Sequence, residues 1–373
     1  MVLKNLKIVL ENEVIDNGFL VIENGLISKI GKGDIDGEDC HGLIAMPGFI
    51  DIHIHGSAGI DFMEAKEEDY KIIADSLYKE GVTTFLATTL TADKNSLARV
   101  CETVNKVKKE IPSLGGIHFE GPYISEKYKG AQNEMFIRNP DIKEFDELQK
   151  LSGNNVRYIT LAPEKEGALD FIKHVSNNGV TVSVGHSAAS LEDVRKAIEA
   201  GLTNVTHTHN AMTPHDHKNP GVVTAAFDFE QLYTEFICDK IHVCKDALET
   251  SYKIIGPERF IIITDALKAK HSNLVKFKLF GLDCERRDGA AYLSTGKLAG
   301  SMLTMDQGVR NIAEISNASL CDLAKISSRN AAKSLHFNDR GVISVGKLAD
   351  LVLLDKDLNV QTTYKNGKKV YSL

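Results

Sequence analysis

The chain has 373 residues, and its 44 Lys+Arg against 51 Asp+Glu leave a net charge of −7. With 43% hydrophobic and 25% charged residues it reads as a globular protein, which excludes wholesale disorder. The acidic balance argues against broad binding to nucleic acid or anionic membranes, so neither is an expected partner. The six cysteines (Cys40, Cys101, Cys238, Cys244, Cys284, Cys321) form no C-x-x-C pair, so neither a zinc knob nor a disulfide framework is indicated. Lys and Glu interrupt the apolar residues of MVLKNLKIVLENEV, which predicts neither a signal peptide nor a membrane span. A cytoplasmic protein is the expectation.

Taken in chain order, the first 45 or so residues alternate β-rich runs with turn signals at Asn17-Gly18 and Asn24-Gly25. The last 30 do the same in GVISV, ADLVLLD and VQTTYKNGKKVYSL, with a hairpin signal at Asn366-Gly367. Two β-rich ends around a different middle predict a small β-sandwich domain from residues 1–46 plus 341–373. The middle, 47–340, repeats a strand–helix alternation. Eight apolar, β-branched segments stand out: FIDIHIHG (49–56), TTFLATTL (83–90), GIHFEGPY (116–123), VRYITLAPE (156–164), VTVSVGHS (180–187), NVTHTHNAM (204–212), EFICDKIHV (235–243) and FIIITDAL (260–267). Between them, EEDYKIIADSLYKEG sets Tyr70, Ile73, Ser76 and Leu77 on one helical face with Gly81 as the stop. Ser190 and Asp193 open a second helix as a capping box, and Gly201 closes it. This alternation predicts an α/β fold, a (β/α)8 TIM-like barrel.

In such barrels the active residues gather at the C-terminal ends of the strands. Six of the eight segments place His, Glu or Asp there: His53 and His55, then Glu120, His186, His207 with His209, His242, and Asp265. Residues two apart in a strand face one way, so the first pair can converge. A lone strand histidine is more often a packed core residue. Glu120 and Asp265, however, sit in apolar segments without a neighbouring Lys or Arg, and a buried unpaired carboxylate is costly. A convergent metal site accounts for all of them together.

At this point the sequence resembles a known family, the N-acetylglucosamine-6-phosphate deacetylases of the metal-dependent amidohydrolase superfamily. PGFIDIHIHG (47–56) and GKLADLVLLD (346–355) mark the superfamily, while HFEGPYIS (118–125), VSVGHSAAS (182–190), VTHTHNAM (205–212) and AGSMLTMD (299–306) narrow the match. The resemblance implies that Glu120, His186 and His207 hold the principal divalent metal, with His53 and His55 available for a second. Zn, Fe, Mn and Co all suit such ligands. It also implies that Asp265 acts as general base and then acid while a metal-activated water attacks the acetamide of N-acetylglucosamine 6-phosphate, releasing acetate and glucosamine 6-phosphate. His209 is expected to pack rather than ligate.

Where many relatives carry a histidine to polarise the carbonyl, this chain has Gln132, within GAQNE (130–134). A second metal at His53 and His55 is then expected to share that role. For the substrate, the resemblance implies Ala131, Leu298, Ala299 and Gly300 at the acetyl-sugar end, and Asn210, Ala211, Asp239 and His242 toward the sugar phosphate. It further implies a homodimer or higher oligomer, since the family brings an arginine to the phosphate from a neighbouring subunit. Here that position is Lys218, in Lys218-Asn219-Pro220-Gly221, which keeps the charge and loses the bidentate fork. The rival readings are a deacetylase of N-acetylgalactosamine 6-phosphate or another N-acyl amino-sugar phosphate, a cyclic-amide hydrolase, and a sugar-phosphate-binding protein without catalysis. The intact ligands and Asp265 disfavour the last. The lysine bridge usual in cyclic-amide hydrolases is missing.

Overall fold

The computed structural model describes residues 1–373. Eight strands, β1 (Phe49–Ile54), β2 (Val82–Thr89), β3 (Leu114–Glu120), β4 (Val156–Leu161), β5 (Thr181–Val184), β6 (Asn204–Val205), β7 (Tyr233–Ile237) and β8 (Phe260–Ile263), pair in parallel in chain order. β1, β2, β3, β5, β6 and β8 are buried at every position, as a parallel sheet covered on both faces requires. Each strand is followed by a helix: α1 (Asp69–Tyr78), α2 (Lys94–Val107), α3 (Ile142–Leu151), α4 (Ala168–Asn177), α5 (Leu191–Ala200), α6 (Val222–Asp228), α7 (Lys245–Ile255) and α8 (Met305–Ile315). Tyr70, Ile73, Ser76 and Leu77 are all buried on α1. Ser190 and Asp193 form their capping box on α5, and Gly201 ends it at φ +117°.

The cylinder closes just beyond the strand ends. Asp265 N donates to His53 O at 2.8 Å, and His55 N donates to Ala266 O at 2.9 Å. That closure is what brings the end of β8 against the two histidines of β1.

Both termini build a second sheet. Its order runs Lys368–Ser372, Val360–Lys365, Leu351–Leu354, Ile44–Pro47, Val2–Val9, Val14–Glu23, Leu26–Lys32, with Glu38–Asp39 beside Val2–Val9. The two chain ends meet where Leu351–Leu354 pairs antiparallel with Ile44–Pro47. Alternation along this seam serves two cores: Leu351 and Leu353 face the 13-residue core of the small sheet, and Val352 and Leu354 face the barrel's. The expected sandwich is one continuous sheet around its own core, drawn together by a bridge between Leu26 and Leu348.

Three local expectations need correction. Asn24-Gly25 and Asn366-Gly367 turn as expected, with φ of 53° and 80°, and 49° and 72°. Asn17-Gly18 lies inside a strand, at a register irregularity, because Gly18 leaves room for Ile8: a Cβ there would stand 2.5 Å from Ile8 Cδ1. The seventh strand stops at Ile237, five residues before His242, because Asp239 Oδ1 accepts from the backbone N of Ile241 and His242, at 2.8 Å each, and turns the chain. Finally, four antiparallel strands, Lys276–Leu279, Leu282–Arg287, Ala290–Leu293 and Leu298–Ser301, stand between β8 and α8, a sheet the strand–helix reading did not foresee.

Candidate metal centre and substrate pocket

Two sets of ligand atoms converge at the C-terminal mouth of the barrel: Glu120, His186 and His207, and beside them His53, His55 and Asp265. Glu120 stands between the sets. Its Oε1 lies 3.0 Å from His186 Nε2, 3.1 Å from His207 Nε2 and 3.4 Å from His53 Nε2, and its Oε2 lies 3.3 Å from His55 Nε2. Asp265 Oδ1 completes the second set, 3.2 Å from His55 Nε2 and 3.6 Å from His53 Nε2. His186, His207 and Asp265 adopt left-handed backbone, with φ of 48°, 31° and 47°. Strain of this kind at three neighbouring site residues is held in place by the surrounding barrel.

The electrostatics favour positive charge. Burial pushes His53 down, but the Glu120 and Asp265 carboxylates outweigh it and hold its pKa well above the usual histidine value. Burial also opposes His55, yet its bonds to Asp265 and Glu120 lift it to about 9. Conversely, burial raises the two acids, and the facing imidazoles win: His53 and His186 hold Glu120 well below the carboxylate range, and His53 and His55 lower Asp265.

The ligands are oriented from behind. His186 Nδ1 lies 2.9 Å from Tyr128 O, and His53 Nδ1 lies 3.2 Å from Glu235 Oε2. Glu235, wholly buried in β7, also accepts from Tyr158 Oη at 2.5 Å and from His207 N at 3.2 Å. The sequence reading passed over Glu235, although a carboxylate two residues before Ile237 in an apolar strand raises the same question as Glu120. His118 of β3 takes the bland histidine role: buried between Thr88 and Thr160, it is kept neutral by burial, well below its ordinary value.

A pocket of about 130 Å³ opens onto these ligands. Its wall includes Ala131, Gln132, Asn210, Ala211, His242, Leu298, Ala299 and Gly300, so all the expected substrate residues but Asp239 and Lys218 meet here. The unforeseen four-stranded sheet supplies Leu279 and the 298–300 edge. Gln132 donates from Nε2 to Glu120 Oε2 at 2.5 Å and accepts from Thr91 N at 2.8 Å. Asp239 stands behind His242, with Oδ2 2.6 Å from His242 Nδ1, and does not line the pocket. Burial pushes His242 down, but that carboxylate outweighs it and raises its pKa. His209 turns away to Ser251, Phe227 and Phe236, and burial lowers its pKa. Lys218 is exposed on its loop and lines no part of this pocket.

The model of the amidohydrolase family matches residues 44–370. The chain belongs to the amidohydrolase family. An N-acetylglucosamine-6-phosphate deacetylase of Lysinibacillus sphaericus is 38% identical over 93% of this chain and 92% of its own. The solved N-acetylglucosamine-6-phosphate deacetylase of Thermotoga maritima superposes with a TM-score of 0.94 at 34% identity, covering 100% of both chains. A mutant of the Mycobacterium smegmatis enzyme, solved in complex with N-acetyl-D-glucosamine-6-phosphate, gives a TM-score of 0.95 at 30% identity over 100% of this chain and 99% of that one.

Amidohydrolases use divalent metal, and the residues of this amidohydrolase fit one. His186 Nε2 and His207 Nε2 face each other at 3.1 Å, an arrangement in which both cannot be donors. His53 Nε2 is buried without a hydrogen-bond partner while pointing at the same carboxylate. Imidazole nitrogens crowded about one acid, one of them without a hydrogen-bond partner, are what a cation would satisfy.

Proposed function

We propose that the chain hydrolyses N-acetylglucosamine 6-phosphate to glucosamine 6-phosphate and acetate. The observation that carries this reading is Asp265, a buried carboxylate at the pocket wall, beside a Glu-His-His ligand set. In this reading Glu120, His186 and His207 hold one metal, and His53 and His55 a second. A divalent ion held there would polarise the acetamide carbonyl and would make water a stronger nucleophile.

Asp265 takes the proton from the attacking water at its carboxylate, then returns it to the sugar nitrogen as acetate leaves. Gln132, which can donate a hydrogen bond but carries no charge, orients the carbonyl from the other wall. Ala131, Leu298, Ala299 and Gly300 exclude water from the acetyl end. Asn210, Ala211 and a protonated His242 face the phosphorylated sugar, with Asp239 holding the His242 charge. Lys218 reaches the phosphate from a second copy of the chain in a homodimer, which its exposed position permits. We read the protein as a cytoplasmic enzyme of amino-sugar metabolism.

The test combines metal analysis with acetate release from a panel of 6-phosphorylated and free N-acetyl hexosamines, the galacto epimer included. Asp265→Asn should keep the metal bound by Glu120, His186 and His207 and lower kcat by roughly 10²–10⁴-fold. No acetate from any member of the panel, with metal bound, would overturn the reading. Lys218→Glu should raise KM for phosphorylated substrates alone; an equal effect on free sugars would remove Lys218 from the phosphate.

A further inference from the structure

At the other end of the barrel, the starts of β3 and β4 and the turn before β5 border a cleft of about 850 Å³, closed on its far side by residues 335–347. Four cations line it: Lys108 at the end of α2, Arg157 as the second residue of β4, Arg340 and Lys347. The one carboxylate in the lining, Asp339, is engaged by Arg340, with Nε–Oδ1 at 2.8 Å and Nη2–Oδ2 at 3.0 Å. Lys365 lies nearby and is spoken for by Asp350 at 2.6 Å. Lys108 and Arg157 have no carboxylate within ion-pair distance.

This charge is held in place. Arg340 is anchored through Nη1 to Thr84 Oγ1 at 3.0 Å and stacks 5.1 Å from the Phe337 ring centroid. Arg157 is seated where Gly116, at φ +152°, leaves space; a Cβ there would stand 2.6 Å from Arg157 Cγ. Lys108 is partly withdrawn from solvent, and burial, with Arg340, Lys365 and Arg157 around it, pushes its pKa down to about 8. Lys108 and Arg157, like charges without a counter-ion of their own, repel each other, and an anion seated between them relieves that repulsion.

From this geometry we propose that the cleft is a second anion site, which binds the phosphate group of a small phosphorylated molecule far from the catalytic pocket. Arg157 offers a planar guanidinium group for phosphate oxygens and Lys108 a point charge, with Arg340 fixed beside them. The cleft has room for an organic moiety beside Phe337 and Val345. This site is independent of the catalytic reading.

The chain has no tryptophan, so Val345→Trp, at a rim position 58% exposed, installs a single fluorescent reporter in the cleft. Titration with inorganic phosphate at constant ionic strength should give a saturable emission change. On the same background, Lys108→Ala/Arg157→Ala should weaken it at least 10-fold while acetate release and far-ultraviolet circular dichroism stay unchanged, and Lys108→Arg should retain it. Calorimetry on the chain without the reporter should lose one phosphate-binding event in the double variant. An unsaturable response, or equal phosphate affinity in the double variant, overturns the proposal.

Discussion

Glu235 has no exposed surface, yet both of its oxygens are committed: one to Tyr158, the other to the His53 ring and the His207 backbone. A single carboxylate thereby aligns one ligand from each of the two sets. Carboxylates behind metal-binding histidines set ring orientation and basicity, and losing one weakens metal affinity by about 10–100-fold. Glu235→Gln keeps the volume and loses the charge, so it should weaken metal binding by that factor, measured by competition with a chelator. Tyr158→Phe, which leaves the bond to His53 in place, should have the smaller effect. His242 is governed by a different carboxylate. Asp239 holds its pKa above the ordinary value despite burial, so the imidazolium persists into higher pH and is lost as pH rises through that value. KM for the phosphorylated substrate should therefore rise on the alkaline side. Asp239→Asn should move that limb to lower pH with little change in kcat, which pH profiles of the two parameters would show.

Among the elements, the barrel was legible because its strands are short, apolar and regularly spaced, because α1 and α5 carry period-3.6 faces, and because α5 has a capping box and a stop glycine. The site residues were legible because polar side chains at the ends of apolar strands need a shared reason to be there. The four-stranded sheet before α8 was not. Its strands are half exposed and carry Lys, Glu and Arg on their outer faces, so no apolar run announces them. The one strong signal was Asp288-Gly289, a hairpin pair with φ of 50° and 85° between alternating segments. Its last strand matters most to the chemistry. Ser301 N donates to Asp265 O at 2.9 Å, and Gly300, at φ +152°, lets the backbone lie against Leu267 and Asp265. A Cβ at 300 would stand 2.8 Å from Leu267 Cγ and 3.1 Å from Asp265 O. Gly300→Ala should therefore destabilise the protein by about 1–3 kcal/mol through overpacking and lower kcat more than it raises KM. Denaturant unfolding and steady-state kinetics on one preparation would separate the two effects. Unchanged kcat would mean that this strand does not set Asp265.

Across the whole molecule, elements far apart in sequence are tied together by charges that the barrel has buried. Glu80, just after α1, is 2% exposed and accepts from Lys270 Nζ at 2.7 Å, from Met305 N at 2.5 Å at the start of α8, and stands 3.3 Å from His271 Nε2. One carboxylate thus joins the first helix, the segment after β8 and the eighth barrel helix, where the barrel closes. Nothing local in the sequence marks this pair, since its members are 190 positions apart. Burial raises the Glu80 pKa, but the Lys270 charge outweighs it, and the folded value falls below the ordinary 4.5. A carboxyl whose pKa is lower folded than unfolded adds stability above the unfolded value and loses it as pH falls through the folded one. Glu80→Gln leaves Lys270 buried and charged without its counter-ion, so the variant should lose about 3–5 kcal/mol at neutral pH. The gap from the parent protein should begin to narrow in urea titrations as pH drops below 4.5 and should go on narrowing as pH falls through the lower folded value, where the parent carboxylate also becomes neutral. A gap that stayed constant across that range would show that packing at Met305, rather than the ion pair, locks the barrel shut.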